Sequence, residues 1–167
     1  MGSGKSTIGR ELARRLNRPF IDSDDRIEAG QNMEISEIFS TRGEAYFREL
    51  EENIVTEIIN SSDKAVISLG GGTLLSQKIT ALVLASGILI YIKSKPEEIW
   101  KRIKHSTRRP LLRQEGDIWQ KKEYMKRMTK LMREREKGYR QAHFRIDRDG
   151  KEVNEIVEEI IEKLSHT

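Results

Sequence analysis

A chain of 167 residues suits one domain with a single sizeable core. Apolar residues at 36% and charged residues at 35% give a soluble globular composition, and no apolar run approaches the roughly 20 residues of a membrane-spanning helix. Zero cysteines exclude disulfides, thiolate metal sites and thiol catalysis, while a net charge of +4 favours anionic ligands: nucleotides, acidic metabolites or nucleic acid.

Residues 1–18 are basic and amphipathic without the apolar stretch of a signal peptide, so the expected location is cytoplasmic. The same stretch opens with Met1-Gly2-Ser3-Gly4-Lys5-Ser6-Thr7, the back half of a P-loop. Glycines let backbone N–H groups curl around a phosphate chain, Lys5 adds charge for the β- and γ-phosphates, and the Ser6 hydroxyl can ligate Mg²⁺. A Gly/Ser-rich helix cap is the plainer alternative. Ile8, Leu12 and Leu16 lie one turn apart and predict a helix ending near Asn17-Arg18-Pro19.

A short buried strand follows at 19–24 and ends in acids. Asp22 and Asp24, two apart, are expected to project to one side, toward the loop; Asp25 alone would suffice to cap the next helix. Short helices are predicted at 25–28 and 34–39, the second stopped around Gly43, then a long one at 44–60 with Phe47, Leu50, Ile54 and Ile58 as its apolar stripe. Arg48 flanks that stripe, where an ion pair with Glu51 or Glu52 competes with ligand binding as its role. A second strand, 64–70, runs into Gly70-Gly71-Gly72, which permits close approach of a ligand to backbone.

Further on, a helix at 75–85, a strand at 87–93 and a helix at 96–104 are expected. A polar loop at 106–117 carries Arg108, Arg109 and Arg113. Arg109, followed by Pro110, could swing over a nucleotide and neutralise transferring phosphate; a solvated basic loop is the alternative. On a helix at 118–142, Met125, Met128, Met132, Arg135 and Tyr139 share one face, so Arg135 points inward and needs an anion, from protein or ligand. Lys121, Lys122, Lys126, Arg127 and Lys130 read as a solvated face, without the aromatics of a nucleic-acid surface. His105, His143 and His166 are scattered and not read as metal ligands. A strand at 144–147 and a helix at 152–164 end the chain. Alternating strands and helices predict an α/β fold with a parallel sheet, its ligands at the carboxyl ends of the strands, where Asp22, Asp24 and Gly70 to Gly72 lie.

Taken together, G-S-G-K-S-T (2–7), F-I-D-S-D (20–24), G-E-x-x-F-R (43–48), S-L-G-G-G (68–72), R-P-L-L (109–112) and R-x-x-x-Y (135–139) resemble the shikimate kinase family over essentially the whole chain. The resemblance implies a single kinase domain over 1–167 of the P-loop NTPase type, a three-layer sandwich with a mostly parallel five-stranded sheet. It implies a substrate-binding region at about 22–61, a lid at about 106–120, and transfer of the ATP γ-phosphoryl to the shikimate 3-hydroxyl. Lys5 would bind phosphates with Gly2, Ser3, Gly4, Ser6 and Thr7; Ser6 and Asp22 would hold Mg²⁺. Asp24 would be the base and contact the substrate hydroxyls, with Arg48 and Arg135 clamping its carboxylate beside Gly70, Gly71 and Gly72. Arg109 would be the lid arginine and Arg102 the adenine-side arginine. A monomer acting on small molecules, without nucleic acid or membrane, is expected. Rival expectations are a gluconate kinase or a non-catalytic nucleotide or nucleic-acid binding module.

Two departures stand out. The segment between Arg109 and Arg135 is several residues longer than is usual in the family. The opening P-loop glycine and its feeding strand would fall before Met1, in an apolar segment ending in Gly-x that begins about ten residues earlier. That strand is expected between the strands holding Asp22 and Gly70; without it, weaker ATP binding and lower stability are expected.

Overall fold

Helix α1 (Lys5–Leu16) starts at Gly4, whose φ of 86° suits only glycine without strain, and stops at Asn17, left-handed at φ 52°. The computed structural model describes residues 2–61, 64–103, 113–114, 117–118 and 121–166. After α1 come β1 (Phe20–Asp22), α2 (Ser23–Gln31), α3 (Ile35–Ser61), β2 (Val66–Ser68), a 3₁₀ turn at Thr73–Leu75 and α4 (Gln77–Ser86). The chain continues through β3 (Ile90–Lys93), α5 (Pro96–Ile103), β4 (Arg113–Gln114), β5 (Asp117–Ile118), α6 (Lys121–Tyr139), β6 (Phe144–Asp147) and α7 (Val153–Ser165).

Most expected elements are present, with instructive shifts. The helices expected at 34–39 and 44–60 form one segment, α3, broken in conformation at Gly43 (φ 81°, ψ 171°). Of the acids expected at a strand end, Asp22 closes β1 as expected, while Asp24 lies in the first turn of α2. Asp22 caps α2 by accepting from Asp24 N, so Asp25 is not needed for that task. The buried stripe of α3 is Phe47, Glu51, Val55 and Ile58, whereas Leu50 and Ile54 are half-buried.

β1 pairs in parallel with β2, from Phe20↔Val66 to Asp22↔Ser68, and β3 pairs in parallel with β6, from Ile90↔Phe144 to Lys93↔Asp147. β4 and β5 form a short antiparallel pair. The strands leading to Asp22 and Gly70 are therefore direct neighbours, and no strand lies between them. The opening lies elsewhere: a cavity of about 500 Å³ separates β2 from β3, with Val66, Ile67, Ile90 and Ile92 on its walls.

The main core joins Ile8 and Leu12 of α1, Ile92, Ile146, and Ile156, Val157 and Ile160 of α7. A second cluster, Ile27, Ile38 and Phe47, holds α2 against α3; a third, Ile99, Tyr124 and Met128, holds α5 against α6. Burying each such side chain contributes about 1.5–3 kcal/mol, which fixes the helices that carry the polar groups described next. No described helix is long and apolar enough to cross a membrane. Arg108 and Arg109, His105 and most of the expected lid lie outside the described residues.

Candidate active site

Gly4 ends the loop in a left-handed conformation, so Lys5, Ser6 and Thr7 form the first turn of α1, where free backbone N–H groups favour anions. Gly2 and Ser3 are buried at the entrance to this turn, and Thr7 is exposed. The Ser6 hydroxyl donates to Asp22 Oδ2 at 2.7 Å, tying the loop to the end of β1. A hydroxyl beside a carboxylate is a hard-oxygen pair that suits Mg²⁺, which takes one or two protein ligands and fills the rest with water and phosphate. Among the described residues no group of three or more His, Cys, Asp or Glu is arranged to hold a metal.

Asp24, in the first turn of α2, is pushed up to about 6 by burial; Lys5 opposes the rise, while Asp22, Glu51 and Glu28 add to it. Such a carboxyl is poised to exchange a proton near neutrality. It borders Gly70: a Cβ there would lie 2.9 Å from Asp24 Oδ1 and 2.6 Å from Glu51 Oε1. Gly70 N donates to the buried Ser23 hydroxyl at 3.0 Å, which fixes the glycine segment over the start of α2.

Arg48 occupies the other flank. Its Nη1 donates to Glu51 at 2.7 Å and its Nη2 to Glu44 at 3.1 Å; Glu52 instead faces Lys78. Glu51 is only 3% exposed and also accepts from Thr73 Oγ1 at 2.7 Å, so this is a buried, doubly bonded acid and not a surface pair. The sequence gives Glu51 only as a possible ion-pair partner. Its place four residues after Phe47 and four before Val55, on the buried stripe, is the signal that could have found it.

Arg135 lies on the inward face of α6, as its spacing predicts; it is 8% exposed, and its Nε has no hydrogen-bond partner among the described residues. One turn on, the Tyr139 hydroxyl donates to Gly71 O at 2.9 Å and its ring stacks on Tyr91 at 4.4 Å. Burial pushes the Tyr139 phenol up, against the pull of the Arg135 charge. Gly138 lets α6 approach so closely that a Cβ would come 2.7 Å from Leu74 Cβ. Lys5, Gly70, Gly71 and Arg135 consequently line one cavity.

Arg102 donates to Gly2 O at 3.3 Å and pairs with Asp149 at 3.1 Å, so the loop entrance is braced from α5 and from the turn after β6. Asp149 also accepts from Ser94 and Lys95 N, a role no sequence pattern indicated. The exposed Lys121, Lys122, Lys126, Arg127 and Lys130 form an outer face of α6, as expected of solvated residues. His143 Nδ1 accepts from Leu89 N at 3.0 Å, a structural bond.

The shikimate kinase family model matches residues 1–165. A shikimate kinase of Deinococcus radiodurans is 41% identical over 98% of this chain and 79% of its own length. Among solved structures, shikimate kinase from Bacteroides thetaiotaomicron superposes with a TM-score of 0.88 at 30% identity, covering 99% of this chain and 94% of that one. The Acinetobacter baumannii enzyme, solved in complex with shikimate, gives 0.86 at 28% identity, covering 99% and 89%. Sequence and fold thus agree on one family, and the chain belongs to the shikimate kinases.

Proposed function

We propose that this chain transfers the γ-phosphoryl of ATP to the 3-hydroxyl of shikimate, using Asp24 as base and Arg48 and Arg135 as the carboxylate clamp. The observation that carries the assignment is the convergence of Lys5, Ser6, Asp22 and Asp24 beside Gly70, with Arg48 against Gly72. The family match favours this reading over gluconate kinase and over a non-catalytic binding module.

Backbone N–H groups from Gly2 to Thr7 and the Lys5 ammonium hold the phosphates. Ser6 and Asp22 would hold Mg²⁺, which would supply charge neutralisation for the transferring phosphate. Asp24 accepts the proton of the acceptor hydroxyl as its oxygen attacks the γ-phosphorus; the new O–P bond replaces the bond to the β-phosphate bridging oxygen, and ADP leaves. Gly70, Gly71 and Gly72 let the ring lie against backbone. An inward guanidinium whose Nε has no partner among the described residues supports a ligand carboxylate at Arg135, since a buried charge without an opposite charge is costly. Arg102, braced by Asp149, serves the adenine side, and Arg109 is assigned the neutralisation of the transferring phosphate. The reading is of a monomer acting on two small molecules, ATP and shikimate.

A coupled ADP-release assay with shikimate, gluconate and no acceptor tests the proposal. Release that depends on shikimate is expected. Equal rates with gluconate, or none above the acceptor-free rate with ATP demonstrably bound, would overturn it.

A further inference from the structure

The last turn of α6 packs on the stretch that follows β2. Gly138 seats the helix on the 3₁₀ turn, where a Cβ on residue 138 would meet Leu74 O and Leu74 Cβ at 2.7 Å. Tyr139, the final residue of the helix, sends its hydroxyl to Gly71 O at 2.9 Å. Its ring stacks on Tyr91 of β3 at 4.4 Å and 14°, and the Arg145 guanidinium of β6 stands over Tyr91 at 5.7 Å. A phenol wedged in this way has little room to swing, so its oxygen is a fixed point. Arg135 lies one turn earlier on the same face of α6, and its guanidinium reaches the Tyr139 oxygen as a donor. A phenolic hydroxyl can donate one bond and accept another, so a single atom serves both. We propose that Tyr139 is the positioning residue of Arg135: its hydroxyl, anchored on the Gly71 carbonyl, sets where the guanidinium meets a ligand carboxylate.

This assignment rests on the shikimate reading above and adds to it a residue that acts through Arg135. Charge explains why a tyrosine suits the place. Arg48 is held by two carboxylates, Glu44 and Glu51, which offset part of its charge. Arg135 is buried, and a neutral phenol steadies it without cancelling the charge that an anionic ligand would meet. Burial also keeps that phenol un-ionised by pushing it up from its ordinary value. The anchor is firm without the tyrosine. Gly70 N donates to the buried Ser23 hydroxyl at 3.0 Å, Thr73 N to Gly70 O at 3.3 Å and Leu75 N to Gly72 O at 2.9 Å. Loss of the hydroxyl therefore frees the guanidinium and leaves the glycine triplet tied.

Steady-state kinetics and thermal denaturation are compared across the unaltered chain, Tyr139→Phe, Tyr91→Phe, Arg135→Ala and the double variant of Tyr139→Phe with Arg135→Ala. Tyr139→Phe keeps the stacked ring and removes only the hydroxyl. It is expected to raise KM for shikimate about five- to tenfold, with kcat and KM for ATP within about twofold and Tm within about 4 °C. Tyr91→Phe keeps the stack too and is expected to leave both KM values unchanged. In the Arg135→Ala background, loss of the Tyr139 hydroxyl is expected to change shikimate KM by less than about twofold, because the group it positions is gone. An unchanged shikimate KM in Tyr139→Phe overturns the assignment. So does a rise by the same factor in both backgrounds. A parallel rise in both KM values with Tm lowered by about 10 °C also overturns it, as the mark of a merely structural tyrosine. ADP release by the unaltered chain is measured first. If it does not depend on shikimate, the shikimate reading falls and this assignment with it; if it does, the variants judge Tyr139 alone.

Discussion

The Arg48 guanidinium rests against Gly72 so closely that a Cβ on residue 72 would lie 2.5 Å from Nη1 and 2.9 Å from Cζ. Contacts under about 3 Å do not persist, so Gly72→Ala pushes the guanidinium off its position. The side chain is long and half-buried, so it moves while the fold survives. A displacement of about 1 Å in a positioning group can cost about a hundredfold. The expected result is a rise in KM for shikimate of tenfold or more with KM for ATP nearly unchanged, read from steady-state kinetics.

Glu51 tests whether Arg48 is pre-positioned. Its carboxylate receives Arg48 and Thr73 together in a buried setting. Glu51→Gln keeps the shape, removes the charge and weakens a charge-assisted bond, so unfolding free energy should fall by about 2 kcal/mol. Shikimate KM should rise in parallel. Denaturant titration and kinetics on one preparation check both; a normal KM with lowered stability would make Glu51 purely structural.

Much of this was legible because the chemistry is local. The loop at Gly2 to Thr7 and the glycine triplet are contiguous motifs, and the inward Arg135 follows from spacing, since the helical period fixes which face a residue occupies. Glu51 was obscured because an apolar-stripe reading skips carboxylates: Leu50 and Ile54 fit that pattern better, yet the structure buries Glu51 and Val55 more deeply. Strand order was the larger miss. Neighbour relations in a parallel sheet depend on crossovers, which leave no periodic trace, and only the register Phe20↔Val66 reveals that β1 and β2 touch. Asp149 was equally silent, being a turn acid whose partners, Ser94 and Arg102, are 55 and 47 residues away in sequence.

Arg135→Ala should weaken shikimate far more than ATP, by about 2–3 kcal/mol in calorimetric titration, because half of a charged clamp is lost. Arg135→Lys should recover only part of that loss, since a single ammonium cannot make the paired bonds of a planar fork. Equal loss of both ligands would point to a structural arginine instead.

Asp24 links the pH dependence of stability with that of turnover. Burial raises its folded pKa to about 6, above an ordinary aspartate. Between about pH 4 and 6 the native state then binds more protons than the unfolded one, so stability declines as pH rises through that window. Above it the penalty is complete and amounts to at most about 3 kcal/mol. Turnover runs the other way, because only the ionised carboxylate can accept the hydroxyl proton. The expected kcat/KM for shikimate rises through an apparent pKa near 6 to a plateau. Asp24→Asn should cut kcat by about 10²–10⁴-fold, leave ATP binding close to normal, abolish that limb and remove the loss of stability above pH 6. Near wild-type turnover in the variant at saturating shikimate would remove Asp24 as the base. A stability gain without a change in the kinetic limb would mean that the raised carboxyl and the catalytic proton acceptor are different groups.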